Sequence, residues 1–119
     1  MTPTEVVQAI IKALETDDLA AGLRYIAPDS LDQGEHVTRE DWRRKWDHMR
    51  AGCPDMHVIT DCSVEHGEWV AHRYTIRGTH TGDFFGRPPT GKRFEILGMD
   101  MVRVVDGLLV EHWAVAQPL

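Results

Sequence analysis

The hydrophobic positions of the chain recur at helical spacing in its first half and at strand spacing in its second half. The first apolar stripe consists of Val6, Val7, Ile10, Ala13 and Leu14. Thr2, Pro3 and Glu5 precede it as an N-cap, a first-turn proline and a capping-box partner. The pattern therefore predicts a helix that begins at Pro3.

Two more helices are predicted before residue 55. Asp17 or Asp18 can cap a short second helix that ends before Pro28. Thr38 and Asp41 repeat the capping signature for a third helix, from residue 39 to about residue 50. One face of this third helix carries Trp42, Trp46 and Met49. Residues 29–36 are polar and turn-rich, which predicts a loop with room for a short strand.

After Pro54 the pattern is that of β-strands. Branched and aromatic residues predict strands at 56–64, 69–80, 93–105 and 108–115. Helices followed by antiparallel strands are typical of an α+β fold. We predict one domain, residues 1–119, in which three N-terminal helices pack on a curved, mainly antiparallel sheet of four or more strands. A concave, largely apolar cavity between the helices and the sheet would be a small-molecule site.

The register of the last hairpin decides which side chains share a face. A three-residue loop over 105–107 would pair Asp100 with His112, whereas a two-residue Asp-Gly loop would pair Asp100 with Trp113. The two registers would turn opposite sets of side chains of the last strand toward the core. We predict the first, because it gathers the apolar positions on one face, namely Phe94, Ile96, Val102, Val104, Leu108 and Val110. Gly98 and Ala114 would leave space for a ligand beside the pair.

Asp100 and His112 are the predicted catalytic residues. A carboxylate that faces a core must be paired, hydrogen-bonded or functional, because burial without a partner is costly. We expect burial to raise the pKa of Asp100, which would then act as a general base with His112 as its partner or proton donor. A purely structural Asp–His pair is the alternative. The predicted substrate-binding residues are Tyr25, Trp42, Trp46, Tyr74, His80, Phe94, Ile96 and Ala114.

Composition excludes several classes of function. The net charge of -6 argues against a nucleic-acid surface. No apolar run is long enough to span a membrane, and residues 1–9 do not resemble a signal peptide. Two cysteines outside any metal spacing predict reduced thiols and a cytoplasmic location. The seven histidines lack the spacing of a metal site, so we predict no metal.

The strings G-T-H-T-G-D-F-F-G-R-P-P-T-G-K, residues 78–92, and D-G-L-L-V-E-H-W, residues 106–113, resemble the SnoaL-like family, which includes polyketide cyclases. The resemblance implies the cone-shaped fold of the nuclear transport factor 2 superfamily, no metal and no organic cofactor. It also implies that an aspartate just after the E-H-W string acts as acid/base, assisted by an imidazole on the neighbouring strand. Ala114 occupies that aspartate position here, and Asp100 occupies the imidazole position.

Two functions are consistent with these observations. The first is acid/base chemistry of the cyclase or isomerase type on a small hydrophobic, keto-bearing substrate. The second is a non-catalytic ligand-binding or dimerisation module of the same fold. The outer sheet face would carry Trp69, Met99, Met101 and Trp113 among charges, which predicts a homodimer interface, as the resemblance also implies.

Overall fold

The computed structural model describes residues 1–119 and contains three helices and one six-stranded sheet. The helices are α1 (Pro3–Glu15), α2 (Leu19–Leu23) and α3 (Arg39–Gly52). The strands are β1 (Ile26–Asp32), β2 (Glu35–Thr38), β3 (His57–His66), β4 (Trp69–Thr79), β5 (Arg93–Val105) and β6 (Leu108–Ala116). The strand order is β2-β1-β6-β5-β4-β3, and only the β1–β6 pair is parallel. The predicted α+β class, with N-terminal helices on a curved sheet, is confirmed.

Both predicted capping boxes are present. The Thr2 hydroxyl accepts from the Glu5 backbone N–H, and the Glu5 carboxylate accepts from the Thr2 N–H. Thr38 and Asp41 make the same reciprocal contacts at the start of α3. Each box satisfies N–H groups that a helix leaves without intrahelical partners, so both helices begin at the predicted residues.

The hairpin of β1 and β2 was predicted only as a loop with room for a short strand. Its turn is formed by Gln33 and Gly34, which have φ angles of 54° and 85°. β2 is short and mostly polar and lies at the sheet edge, where little of it is buried. Since β1 lies parallel to β6, residues at its end reach the inner face of the last hairpin.

The predicted register of the last hairpin is wrong. Asp106 and Gly107 have φ angles of 52° and 78°, so the turn is a two-residue one in which both central residues have positive φ. A bulge at Val110 then shifts the register, and Asp100 pairs with Ala114 while Val102 pairs with His112. The extra residue restores the alternation, so Asp100 and His112 still share one face.

The core lies between the helices and the inner sheet face. In the last hairpin its buried residues are Val102, Val104 and Leu109. Leu108 and Val110 were predicted to point inward, but the two-residue turn gives that place to Leu109. No helix of the chain combines the length and the apolar character that crossing a membrane requires.

Candidate active site

A cavity of about 500 Å³ lies between α1, α3 and the sheet. Hydrophobic residues make up 18 of the 26 that line it. This volume and lining are typical of sites that enclose a small organic molecule. The cavity therefore fits a ligand that is mostly apolar and meets a few polar groups.

The helices provide the apolar wall. From α1 the wall takes Val7, Ile10, Ile11 and Leu14, and from α3 it takes Trp42, Trp46 and Met49. The two tryptophan rings lie 5.9 Å apart between centroids. The indole N–H of Trp42 donates to the buried Ser30 hydroxyl at 2.9 Å, which fixes the ring.

Tyr74 lies flat over the neighbouring strand because the residue opposite is Gly98. A Cβ atom at position 98 would be 2.4 Å from the Tyr74 Cε2 atom, so no other residue fits beneath the ring. Burial, reinforced by the nearby negative charge of Asp100, raises the pKa of Tyr74 to about 12. Its phenol is therefore uncharged at neutral pH and can donate a hydrogen bond into the cavity.

A row of polar side chains crosses the inner face of the sheet. Five neighbouring strands contribute one residue each, in the spatial order Thr60, His72, Asp100, His112 and Asp32, and α3 adds Lys45. Adjacent members are joined by hydrogen bonds or ion pairs. Asp100 lies at the centre of this row, and one histidine contacts it from each side.

His112 stands between two carboxylates. Its Nδ1 is 2.9 Å from Asp32 Oδ1, and its Nε2 is 3.4 Å from Asp100 Oδ2. Lys45 Nζ lies 2.9 Å from the second Asp32 oxygen and 4.9 Å from the Trp42 ring centroid. Because carboxylates only accept hydrogen bonds when ionised, both ring nitrogens of His112 are placed to donate.

The electrostatics agree with this arrangement. Burial favours the neutral imidazole, but the hydrogen bonds to Asp100 and Asp32 outweigh it and raise the pKa of His112. Burial alone would raise the pKa of Asp100, yet the bonds from His112 and His72 lower it overall. The pKa of Asp32 is likewise lowered, since His112 and Lys45 outweigh its burial. The expected rise for Asp100 does not occur, because two histidines flank it.

His72 approaches Asp100 from the opposite side. Its Nδ1 is 3.2 Å from Asp100 Oδ1, and its Nε2 is 2.8 Å from the Thr60 hydroxyl. Its side chain is only 2% exposed. The two histidines on Asp100 therefore differ, since His112 contacts two carboxylates and His72 contacts one.

Five of the predicted substrate-binding residues line the cavity, namely Trp42, Trp46, Tyr74, Ile96 and Ala114. The other three do not. Tyr25 packs against the core at the end of α2, and Phe94 stacks on Phe84 with centroids 5.5 Å apart. His80 is buried under the loop after β4, where its Nε2 lies 3.1 Å from the Arg87 carbonyl oxygen.

The loop that joins β4 to β5 covers residues 80–92. Phe84 anchors it in the core with no exposed surface, while Phe85 and Arg87 line the cavity. The backbone N–H groups of Thr81 and Gly82 both donate to the Gly52 carbonyl at 3.1 Å. The loop is thus fastened to the end of α3, and only its tip reaches the ligand space.

Sequence reasoning missed Asp32 and Lys45 as members of the site, whereas for His72 it indicated a position facing the cavity mouth but no role. Asp32 reaches His112 through a parallel strand pairing between residues 80 positions apart, which no local pattern reveals. His72 shares the alternation of Tyr74, so the strand period placed it on the inner face without indicating its partner. Lys45 is one residue from the tryptophan face and resembles an ordinary surface lysine.

The sequence is similar to those of polyketide cyclases. A sequence model described as SnoaL-like polyketide cyclase matches residues 4–119. The nogalonic acid methyl ester cyclase of Streptomyces nogalater is 28% identical over 100 residues, which cover 82% of this chain and 75% of that protein. The aklanonic acid methyl ester cyclase DauD of Streptomyces sp. (strain C5) is 38% identical over 107 residues, which cover 82% of this chain and 63% of that protein.

Solved structures share the architecture. IdmH of Streptomyces antibioticus, a candidate polyketide cyclase, is 33% identical with a TM-score of 0.86, and the match covers 98% of this chain and 93% of that one. A SnoaL-like polyketide cyclase of Agrobacterium tumefaciens gives a TM-score of 0.90 over 98% of this chain and 92% of that one. At 15% identity, the second likeness concerns the fold alone.

Proposed function

Because the chain belongs to the SnoaL-like polyketide cyclase family, we propose that it closes a ring in a keto-bearing, polyketide-derived substrate by acid/base catalysis. The observation that carries the proposal is the pairing of an ionised carboxylate, Asp100, with a proton-bearing imidazole, His112, inside an apolar cavity. A base and an acid held 3.4 Å apart can serve the two ends of one reaction.

In the proposed reaction, Asp100 removes a proton from a carbon next to a carbonyl group. The resulting enolate carbon attacks a second carbonyl of the same molecule and forms the carbon–carbon bond. His112 gives its proton to the oxygen of that second carbonyl, which becomes a hydroxyl group. The proton on Asp100 then passes to His112, so the pair is restored and substrate and product have the same mass.

The lowered pKa of Asp100 restricts the substrate. A weak base removes a proton efficiently only from an acidic C–H, such as one between two carbonyl groups. The phenol of Tyr74 and the imidazolium of His112 are the donors available to an enolate oxygen. The substrates in the relatives' names are methyl esters, which supports a keto ester for this chain.

Ala114 is consistent with this assignment. It lies directly opposite Asp100 in the hairpin, at the position where the family resemblance implies an aspartate. The carboxylate is thus on β5 instead of β6, and the imidazole of His112 is on β6 instead of β5. The small Ala114 side chain leaves the space in front of Asp100 open to a ligand.

Aklanonic acid methyl ester and nogalonic acid methyl ester are the test substrates. The wild-type protein is expected to convert one of them to a product of equal mass that separates by chromatography. Asp100→Asn and His112→Gln should each lower kcat by roughly 100-fold or more, while thermal unfolding shows that both variants remain folded. Asp29→Asn, an exposed aspartate on β1, is the matched control and should retain full activity.

Other results would contradict the proposal in distinguishable ways. Quenching of tryptophan fluorescence by these esters without turnover, in both wild-type and Asp100→Asn protein, would identify a ligand carrier instead of an enzyme. Equal turnover by the wild-type protein and Asp100→Asn would remove Asp100 from the chemistry.

We also propose that the outer sheet face is a homodimer interface. The exposed residues Val64, Leu97, Met99, Met101, Trp113 and Val115 all lie on β3, β5 and β6, with exposures of 44–72%. An apolar area of this kind on a sheet face is typical of a contact with a second copy. Sedimentation equilibrium should give twice the chain mass of 13.5 kDa. Met99→Glu should give the monomer, whereas Phe85→Glu, outside this face, should not.

A further inference from the structure

The hydrogen bonds on the His72 side of Asp100 continue to the surface of the protein. Thr60 Oγ1 contacts His72 Nε2 at 2.8 Å, and the Gln8 side-chain Nε2 donates to Thr60 Oγ1 at 3.1 Å. Gln8 is on α1 and is exposed. This chain of contacts therefore connects α1 to the proposed base across β3 and β4.

The chemistry of Gln8 and Asp100 indicates which groups donate in this series of contacts. An amide nitrogen such as that of Gln8 only donates, so Thr60 Oγ1 accepts from it and its own hydrogen remains available for His72. An unprotonated Nδ1 of His72 would direct its lone pair at the Asp100 carboxylate 3.2 Å away. His72 Nδ1 therefore carries a hydrogen and donates, and the free Thr60 hydroxyl hydrogen is positioned to meet the lone pair of Nε2 in the tautomer that has a single ring hydrogen.

The two oxygens of Asp100 consequently have different partners. Oδ1 receives the Nδ1–H of His72, and Oδ2 lies 3.4 Å from His112 Nε2. The partner of His72 at its far nitrogen is a hydroxyl, whereas His112 has a second carboxylate, that of Asp32, at its far nitrogen. The ring of His112 therefore contacts two carboxylates, whereas the ring of His72 contacts one carboxylate and one hydroxyl.

We infer that Thr60 fixes the tautomer of His72, and that His72 anchors Oδ1 of Asp100 so that Oδ2 alone takes the substrate proton. His72 and Thr60 are thus positioning residues for the proposed reaction, and His72 transfers no proton itself. The inference rests on the proposed function for its effect on turnover, but the tautomer and the anchoring can be measured without substrate.

The groups that face Asp100 come from several elements. They are His72 and Tyr74 on β4, His112 on β6, Asp32 on β1 beyond His112, and Lys45 on α3 beyond Asp32. Of these, only the rings of His72 and His112 contact the carboxylate directly, at 3.2 Å and 3.4 Å. Loss of the His72 donor should therefore raise the pKa of Asp100, while a replacement that keeps a donor near Nδ1 should not.

The substrate-free experiment is NMR spectroscopy of the protein labelled with ¹⁵N and ¹³C. In the wild-type protein the His72 ring should carry its hydrogen on Nδ1. Thr60→Val, which removes only the hydroxyl, should give a mixture of tautomers, and Thr60→Ser should retain the wild-type form. The pKa of the Asp100 carboxyl should rise in His72→Leu and stay near the wild-type value in His72→Asn, whose amide can donate in place of Nδ1.

The turnover experiment uses aklanonic acid methyl ester. His72→Leu should lower kcat at least about tenfold with KM little changed, and His72→Asn should recover most of that loss. Thr60→Val, which is milder and should fold if His72→Leu does not, should lie between wild type and His72→Leu, while Thr60→Ser should match the wild type.

Several results would overturn the inference. One is a wild-type His72 with its hydrogen on Nε2. Another is a His72→Asn variant as impaired as His72→Leu, since His72 would then transfer protons itself. A third is an Asp100 carboxyl that titrates identically in all variants. A wild-type protein that shows the predicted NMR pattern but no turnover would reject the cyclase proposal and leave the anchoring of Asp100 established.

Discussion

Replacing Asp32 with Asn should lower the pKa of His112. The carboxylate of Asp32 contacts Nδ1 of His112 at 2.9 Å, and the imidazole side chain is only 14% exposed, so solvent screens the interaction weakly. An opposite charge at this range changes a pKa by about 1–3 units, and the amide of Asn keeps the shape without the charge. The substitution also leaves Lys45 without its partner, and the positive charge of Lys45 itself lowers the pKa of His112.

The loss of the Asp32 charge and the unpaired charge of Lys45 both lower the pKa of His112. We expect the pKa of His112 to fall by at least about one unit, equivalent to about 1.4 kcal/mol. Lys45→Met should have the opposite effect and raise the pKa, because it removes a positive charge and leaves Asp32 in place. The assay is an NMR titration of the histidine ring protons, in which the His112 signal is the one missing from the spectrum of His112→Gln.

Asp29→Asn is the matched control. It makes the same charge change three residues earlier on β1, but the Asp29 side chain is 72% exposed and contacts His36 instead. The His112 titration should not move in this variant. An unchanged His112 in Asp32→Asn, or an equal shift in Asp29→Asn, would refute the direct contact between Asp32 and His112 as the cause.

Three further measurements test the fold and the row of polar side chains on the inner face of the sheet. Gly98→Ala should lower the free energy of unfolding in urea by about 1–3 kcal/mol, because the added Cβ collides with the Tyr74 ring. The same substitution should cost less in a Tyr74→Leu variant, which lacks that ring. The free energy of unfolding should decline in two pH ranges relative to an Asp100→Asn, His112→Gln double variant. The free energy of unfolding falls below pH 3.8, because the pKa of Asp100 is depressed in the folded protein and acid removes its stabilising negative charge. It also falls above pH 6.5, because the pKa of His112 is raised in the folded protein and base removes its stabilising positive charge. A difference between the two proteins that does not vary with pH would contradict both effects. Thr38→Ala should cost about 1 kcal/mol through loss of the α3 N-cap, and Thr38→Ser should cost almost nothing.

The sequence predicted well those elements that are specified by local chemistry. Capping residues set the start of α1 and α3, and strands β3 to β6 were each placed within two residues of their ends. The apolar wall of Trp42 and Trp46 follows from helical spacing alone. These features depend on neighbours within a few positions of one another, which a single sequence shows directly.

Features set by distant contacts were not predicted. The parallel pairing of β1 with β6 joins segments that are far apart in the sequence. The sequence therefore did not reveal Asp32, the carboxylate that stabilises the protonated form of His112. The turn after Val105 adopts a two-residue form, and the compensating bulge at Val110 has no signature in an apolar run. The predicted proximity of Asp100 and His112 was right although the register was wrong, because these two departures cancel.

The bulge at Val110 makes the last hairpin tolerant of a deletion but not of an insertion. Val110 is the extra residue between Leu109, which pairs with Val104, and Glu111, which pairs with Arg103. Deleting Val110 would leave a regular ladder in which His112 still pairs with Val102 and faces the cavity. Inserting one residue between Leu109 and His112 would instead move His112 opposite Met101 and turn it to the outer surface. A library of length variants would thus be expected to retain the acid/base pair after the one-residue deletion and to lose it after the one-residue insertion.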